Sequence, residues 1–202
     1  MLHLLGPEID YLALMGELRD YKSKRDKISR LVRDGDLVRV RKGLYVLGEK
    51  YEKPYSKLLL ANLIYGPSYL CGLSALSFYG AIPEEVKVIS SKTLGKSKTF
   101  DTPVGFFVYK KIPLIRYFCG LSFAELSQNR RILISSPEKA LLEELILEKG
   151  ITNVSDIGMW VSSHRIDEEF LESLSILALT KLRPYFNFCQ TRYLIKWLQR
   201  EQ

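Results

Sequence analysis

The chain has 202 residues, 47% hydrophobic and 26% charged, enough for one large packed domain or two small ones. Its net charge of +7 favours a polyanionic partner, most simply nucleic acid; the rival reading, an acidic membrane surface, wants a basic amphipathic helix with an exposed apolar face, and none stands out. The longest apolar run, residues 58–65, contains Asn62 and falls well short of the ~18 residues of a membrane span, and the N-terminus lacks the pattern of a signal peptide.

Residues 7–18 predict a helix, because Ile9, Leu12, Met15 and Leu18 recur at helical spacing. Ser23 then suits the N-cap of a second helix, with Asp26 where a capping-box acid stands, and Ile28, Leu31 and Val32 supply its buried stripe. Gly35 stops it. Residues 37–40 and 44–47 predict a hairpin turned at Arg41, Lys42 and Gly43. The polar stretch GEKYEKP, residues 48–54, is the best linker candidate and divides the chain into residues 1–50 and 54–202.

Beyond it the pattern is mixed. Helices are expected over residues 55–65 and 74–79, strands over 86–90, 104–110, 114–118 and 131–134. Ser136 and Pro137 open a strong helix whose apolar face is Leu141, Leu142, Leu145 and Ile146, with Gly150 just past its end. Residues 167–179 and 190–199 also read as helical. The fold class expected is α+β: a winged helix-turn-helix followed by a larger mixed α/β domain.

The positive charge is concentrated. Residues 19–42 hold ten Lys or Arg against four Asp, a net of +6 out of +7. Lys24, Lys27 and Arg30 are spaced by three, with Lys22 before them and Arg25 beside them. A helix with one apolar and one basic stripe suits the major groove of double-stranded DNA. Arg39 and Arg41 alternate with Val38 and Val40, so strict strand alternation places both guanidinium groups on one side, and Lys42 stands at the turn. These three are expected on phosphates or in the minor groove. A solvated charged helix beside an ordinary hairpin is the plainer alternative.

The segment DKISRLVRDGDLVRVRKGLYVL, residues 26–47, resembles the N-terminal winged helix of AbiE-type antitoxins, the regulator half of type IV toxin–antitoxin pairs. YLCGLSALSFYGAIPEEVKVISS, residues 69–91, and RILISSPEKALLEEL, residues 131–145, resemble later segments of that family. The resemblance implies a cytoplasmic repressor that binds inverted repeats in its own promoter. It also implies that the C-terminal domain counteracts a nucleotidyltransferase toxin, with or without a stable complex.

No enzyme is expected, nor any cofactor or metal. Gly95, Lys96 and Ser97 look like the end of a P-loop, but its first glycine would fall at Ser90. Gly72 to Leu76 is a nucleophile elbow lacking its second glycine, so Ser74 is expected to pack. His3 and His164 have no partner at metal spacing, and the pairs Glu84/Glu85, Glu143/Glu144 and Glu168/Glu169 are expected on surfaces. Cys71, Cys119 and Cys189 form no C-x-x-C and are expected reduced and buried. Tyr45, Tyr51 and Tyr55 are the candidate anchors if the N-terminal unit meets a protein instead of DNA.

Overall fold

Two sheets organise the chain, one of three strands near the N-terminus and one of six. The computed structural model describes residues 6–126 and 130–201.

The first unit begins with strand β1 (Glu8–Asp10), helix α1 (Tyr11–Glu17) and helix α2 (Lys24–Arg33). Strands β2 (Leu37–Arg41) and β3 (Leu44–Leu47) follow, and the antiparallel order is β1-β3-β2. The expected helix over residues 7–18 is therefore corrected at its start. Ile9 pairs with Tyr45 across β1 and β3, and Asp10 caps α1 by accepting from the Ala13 amide at 2.7 Å. Gly35 and Gly43 adopt φ of +74° and +86°, the left-handed values that the helix stop and hairpin turn require. Ser23 takes the N-cap position, but its hydroxyl donates to the Asp26 carboxylate instead of accepting from the helix.

This small sheet is covered on both faces. Ile9, Leu37, Tyr45 and Leu47 pack under α1 and α2 with Leu14, Leu18, Ile28 and Leu31. Val40, Leu44 and Val46, on the other face, belong to the main core of the molecule. Residues 49–51, inside the stretch expected to link the two parts, form a 3-10 turn.

The second part contains α3 (Lys57–Ile64), β4 (Ser68–Leu70), α4 (Gly72–Phe78), β5 (Val88–Thr93), β6 (Lys98–Thr102), β7 (Gly105–Lys111) and α5 (Leu114–Phe118). It continues through β8 (Leu121–Leu126), β9 (Arg130–Ser135), α6 (Pro137–Leu145), α7 (Val154–Ser163), α8 (Glu168–Glu172), α9 (Ile176–Leu182) and α10 (Phe188–Glu201). The sheet order is β6-β7-β5-β4-β9-β8, with β5/β7 and β4/β9 parallel and the other pairs antiparallel. Leu70, Ile89, Phe107, Tyr109, Ile132 and Ile134 point from one face into a core built with α3, α4, α6, α7 and the C-terminal helices. The opposite face has a much smaller cover, in which Tyr69 and Cys71 pack with Ile112 and Tyr117 of the β7–α5 segment.

Several expectations need correction. Residues 114–118 form a helix, not a strand, entered from Pro113 in extended conformation. The expected helix over 167–179 is two helices, broken where Ser175 caps the second. The helix opened by Pro137 ends at Leu145, short of Gly150, and Ile146 is its C-cap.

Candidate nucleic-acid interface

Five of the eight basic candidates lie on or just before α2, three on the hairpin. Lys22, Arg25, Arg30, Arg39, Arg41 and Lys42 are exposed, while Lys24 and Lys27 are half-buried. Among the described residues none of the eight forms an ion pair, whereas Arg33 is paired with Asp34 and Lys50 with Asp36. Lys27 instead lies over the Tyr21 ring, 5.3 Å from its centre.

An open groove of about 670 Å³ runs between α2 and the hairpin. Arg25 and Ser29 border it from the helix, Arg39 and Lys42 from the hairpin, and Ile28 and Tyr45 line it between them. Three candidates thus converge on one groove, and Arg25 is the helix cation that faces it. The spacing-by-three stripe of Lys24, Lys27 and Arg30 does not line it.

Arg39 and Arg41 do not share a side, contrary to strict alternation. The register slips between them: Arg39 sits opposite Tyr45, and Arg41 opposite Leu44. A bulge inserts one extra residue and reverses the side-chain direction that follows. Arg39 is left on the groove face, and Arg41 turns towards the second part, where its positive charge acts on the Tyr109 hydroxyl.

The aromatic anchors expected for protein contact are not free. Tyr45 is 7% exposed, Tyr51 donates to the Asp36 carboxylate at 2.6 Å, and Tyr55 packs against the main core.

The second part holds a buried polar cluster that the sequence concealed. Glu143, expected on a surface, is 3% exposed; it accepts from the Tyr69 hydroxyl at 2.7 Å and from the Gly72 amide at 3.3 Å. Lys139, one turn away on α6, is fully buried. Its ammonium donates to the Arg116 and Tyr117 carbonyls, each at 3.0 Å, and lies over the Tyr69 ring at 4.0 Å. Burial pushes the Glu143 carboxyl above, and the Lys139 ammonium below, their ordinary ranges. Each polar end has a protein partner, and the cluster ties α6 to β4, α4 and α5. Its neighbour Glu144 accepts from the Leu73 amide at 3.1 Å. The only sequence signal is that Lys139 and Glu143 stand four apart on a helix with the apolar Ala140, Leu141 and Leu142 between them.

Ser74 is buried, accepting from the Ser90 amide at 2.8 Å. After Gly95, Lys96 and Ser97 the chain enters strand β6, where a P-loop requires a helix. His164 caps the C-terminal end of α7, and His3 lies outside the described residues. Cys71 is buried and its thiol is pushed up by that burial, but Cys119 is only partly buried and Cys189 is exposed. Among the described residues no three His, Cys, Asp or Glu gather as a metal site, and no helix is long and apolar enough to cross a membrane.

The fold is of a mixed α/β class with two sheets. It is similar to the crystal structure of the RV2827C protein from Mycobacterium tuberculosis, with a TM-score of 0.61 and 15% sequence identity over 95% of this chain and 72% of that chain. At that identity the likeness is one of fold. No family model matches the chain, and no curated protein matches it either.

Proposed function

We propose that this chain is a transcriptional repressor and antitoxin of the AbiE type, which binds double-stranded DNA in the promoter of its own operon and counteracts a nucleotidyltransferase toxin. The observation that carries the DNA-binding part is the convergence of Arg25, Arg39 and Lys42 on one open groove, with no carboxylate paired to any of them among the described residues. The order strand, helix, helix, strand, strand, with β1 paired to β3, supports reading residues 1–50 as a winged helix-turn-helix. In that reading α2 enters the major groove and the hairpin tip rests on the backbone. Residues 54–202 are then the antitoxin domain, and no catalysis, cofactor or metal is invoked. The antitoxin part rests on the resemblance of the segments around residues 26–47, 69–91 and 131–145.

The test is a mobility shift with DNA from immediately upstream of the gene, at two salt concentrations, with an unrelated fragment as competitor. Specific binding that weakens steeply with salt supports the reading. Equal binding to both fragments removes it. Co-expression with the toxin encoded beside it tests the second half, growth rescue being the expected result.

A second reading has its own observation. On α5, Leu114, Ile115 and Phe118 are 61%, 66% and 64% exposed, and such a cluster favours direct contact with a protein. A stable co-purifying partner without salt-sensitive DNA binding would support it.

A further inference from the structure

The six-stranded sheet is open over much of one face. Residues of β5 and β7 alternate strictly, so Ile89, Phe107 and Tyr109 enter the core while Val88, Ser90 and Lys92 on β5 and Phe106, Val108 and Lys110 on β7 face the other way. The register places Val88 beside Phe106, Ser90 beside Val108 and Lys92 beside Lys110. Thr99 of the edge strand lies across from Val108 on the same face. Tyr69, which pairs with Lys92, marks where the α5 cover begins.

This strip has two ends of different chemistry. At one, Phe106 is 39% exposed and Val88 40%, large apolar surface left in water on a sheet. At the other, Lys92 and Lys110 stand side by side, like charges in directly opposed positions, an arrangement that costs stability on its own. Among the described residues neither lysine forms an ion pair. Both lysines act electrostatically on the Glu144 carboxylate, and Lys92 also on Glu143, groups that accept hydrogen bonds from the start of α4. Phe106 and Lys110 are four residues apart on one strand, about 13 Å at the usual rise. Two acids share the face: Asp101, opposite Phe106 and away from the lysine end, and Glu125 on the far edge strand β8, which is ion-paired with Arg131.

We propose that this open sheet face binds single-stranded nucleic acid, with a base stacked on Phe106 and neighbouring phosphates held by Lys92 and Lys110. A polynucleotide offers a flat π-face and a negative charge in every unit, so a single chemistry matches both ends of the strip. Aliphatic protein surface would suit Val88 and Val108 but would bring no anion to two adjacent ammonium groups that are not ion-paired among the described residues. Asp101 keeps the backbone of the bound strand towards Lys92 and Lys110. The strip shares no residue with the α2–hairpin groove and is not needed for duplex recognition there.

The experiment is fluorescence anisotropy of the full chain with labelled oligouridine and oligodeoxythymidine, beside a duplex control, across a salt series. The expected result is salt-sensitive binding of the single strands that Phe106→Ala weakens about tenfold. Replacing Lys92 and Lys110 together with Gln lowers the salt slope by about 1.4, near 0.7 for each phosphate no longer neutralised. Thr99→Glu, on the exposed edge strand, weakens binding without touching the core. A triple Arg25→Ala, Arg39→Ala, Lys42→Ala variant keeps single-strand binding, which separates this face from operator recognition. Melting curves of each variant establish that it is folded. Absence of single-strand binding at low salt overturns the proposal, as does binding lost in the triple variant but unchanged in Phe106→Ala and Thr99→Glu.

Discussion

Arg39 and Arg41 lie two residues apart on one strand yet stand on opposite faces of the small sheet, because β2 bulges between them. Arg39 shares its face with Tyr45 and the groove beside α2, and Arg41 shares its face with Leu44 and the main core. If the groove is where DNA lies, the two arginines are not equivalent. Arg39→Ala is expected to lower the salt slope of operator binding by about 0.9, the value of one phosphate neutralised on a duplex. Arg41→Ala should leave that slope unchanged. Mobility shifts over a salt series would decide it, and equal losses would remove the assignment of the groove.

Gly48 follows β3, and its amide donates to the Asp36 carbonyl at 2.9 Å. A Cβ there would stand 1.9 Å from the Gly35 carbonyl oxygen, a backbone atom with little room to move. Gly48→Ala must therefore push apart the end of α2 and the end of the hairpin. A cost of about 2 kcal/mol or more is expected, comparable with overpacking a core. Chemical denaturation measures it. A variant as stable as the parent would show that this junction yields easily.

These two sites mark how far the fold is legible in the sequence. Helix α2 and the hairpin are readable because apolar spacing, a glycine stop and a glycine turn all agree. The bulge at Val40 is not, since it leaves the alternation of Val and Arg intact in one dimension. Strand β1 is hidden because Ile9 and Leu12 also fit a helical period, although Leu12 proves 79% exposed and Ile9 buried. Strand β6 carries only Phe100 as a large apolar residue, as suits an exposed edge. Helix α7 carries its signal in the Asn153–Asp156 capping box, a polar pair easily mistaken for plain loop. Lys139 and Glu143 look like surface charges because burial of a charge depends on partners from β4, α4 and α5, distant in sequence. The groove presents the same difficulty, since the partners Arg39 and Lys42 select Arg25 over its neighbours on α2.

Glu8 links the two parts of the chain. Its side chain is only 4% exposed, Arg130 donates to both carboxylate oxygens at 2.9 and 3.0 Å, and the Ser56 amide donates at 2.6 Å. Arg130→Ala strips the guanidinium from a buried carboxylate, and a loss of about 3 kcal/mol is expected. Glu8→Gln keeps an acceptor for Ser56 and removes the charge that needs pairing, so it should cost less. Urea titrations of the two variants and of the double variant test this order. A larger loss for Glu8→Gln would place the demand on Arg130 instead.

Asp36 gives the N-terminal unit a dependence on acid. Its carboxylate accepts from the Lys50 ammonium and from the Tyr51 hydroxyl, each at 2.6 Å, and these bonds hold its pKa below the ordinary 3.8. Because the folded value is depressed, the stabilisation is fully present above 3.8 and is lost as pH falls through the lower folded value. Asp36→Asn is therefore expected to cost about 1 kcal/mol at neutral pH, discounted for the exposure of Lys50. The gap from the parent should close in strong acid. Tyr51 behaves in the opposite sense: burial and the Asp36 carboxylate push its pKa up from 10.0 to about 12. Its contribution is present below 10.0 and disappears as pH rises through about 12, and Tyr51→Phe should remove that alkaline loss. Melting temperatures across the pH range measure both effects. A parent–Asp36→Asn gap that persisted in acid would mean that the side-chain shape at Asp36 matters and its charge does not.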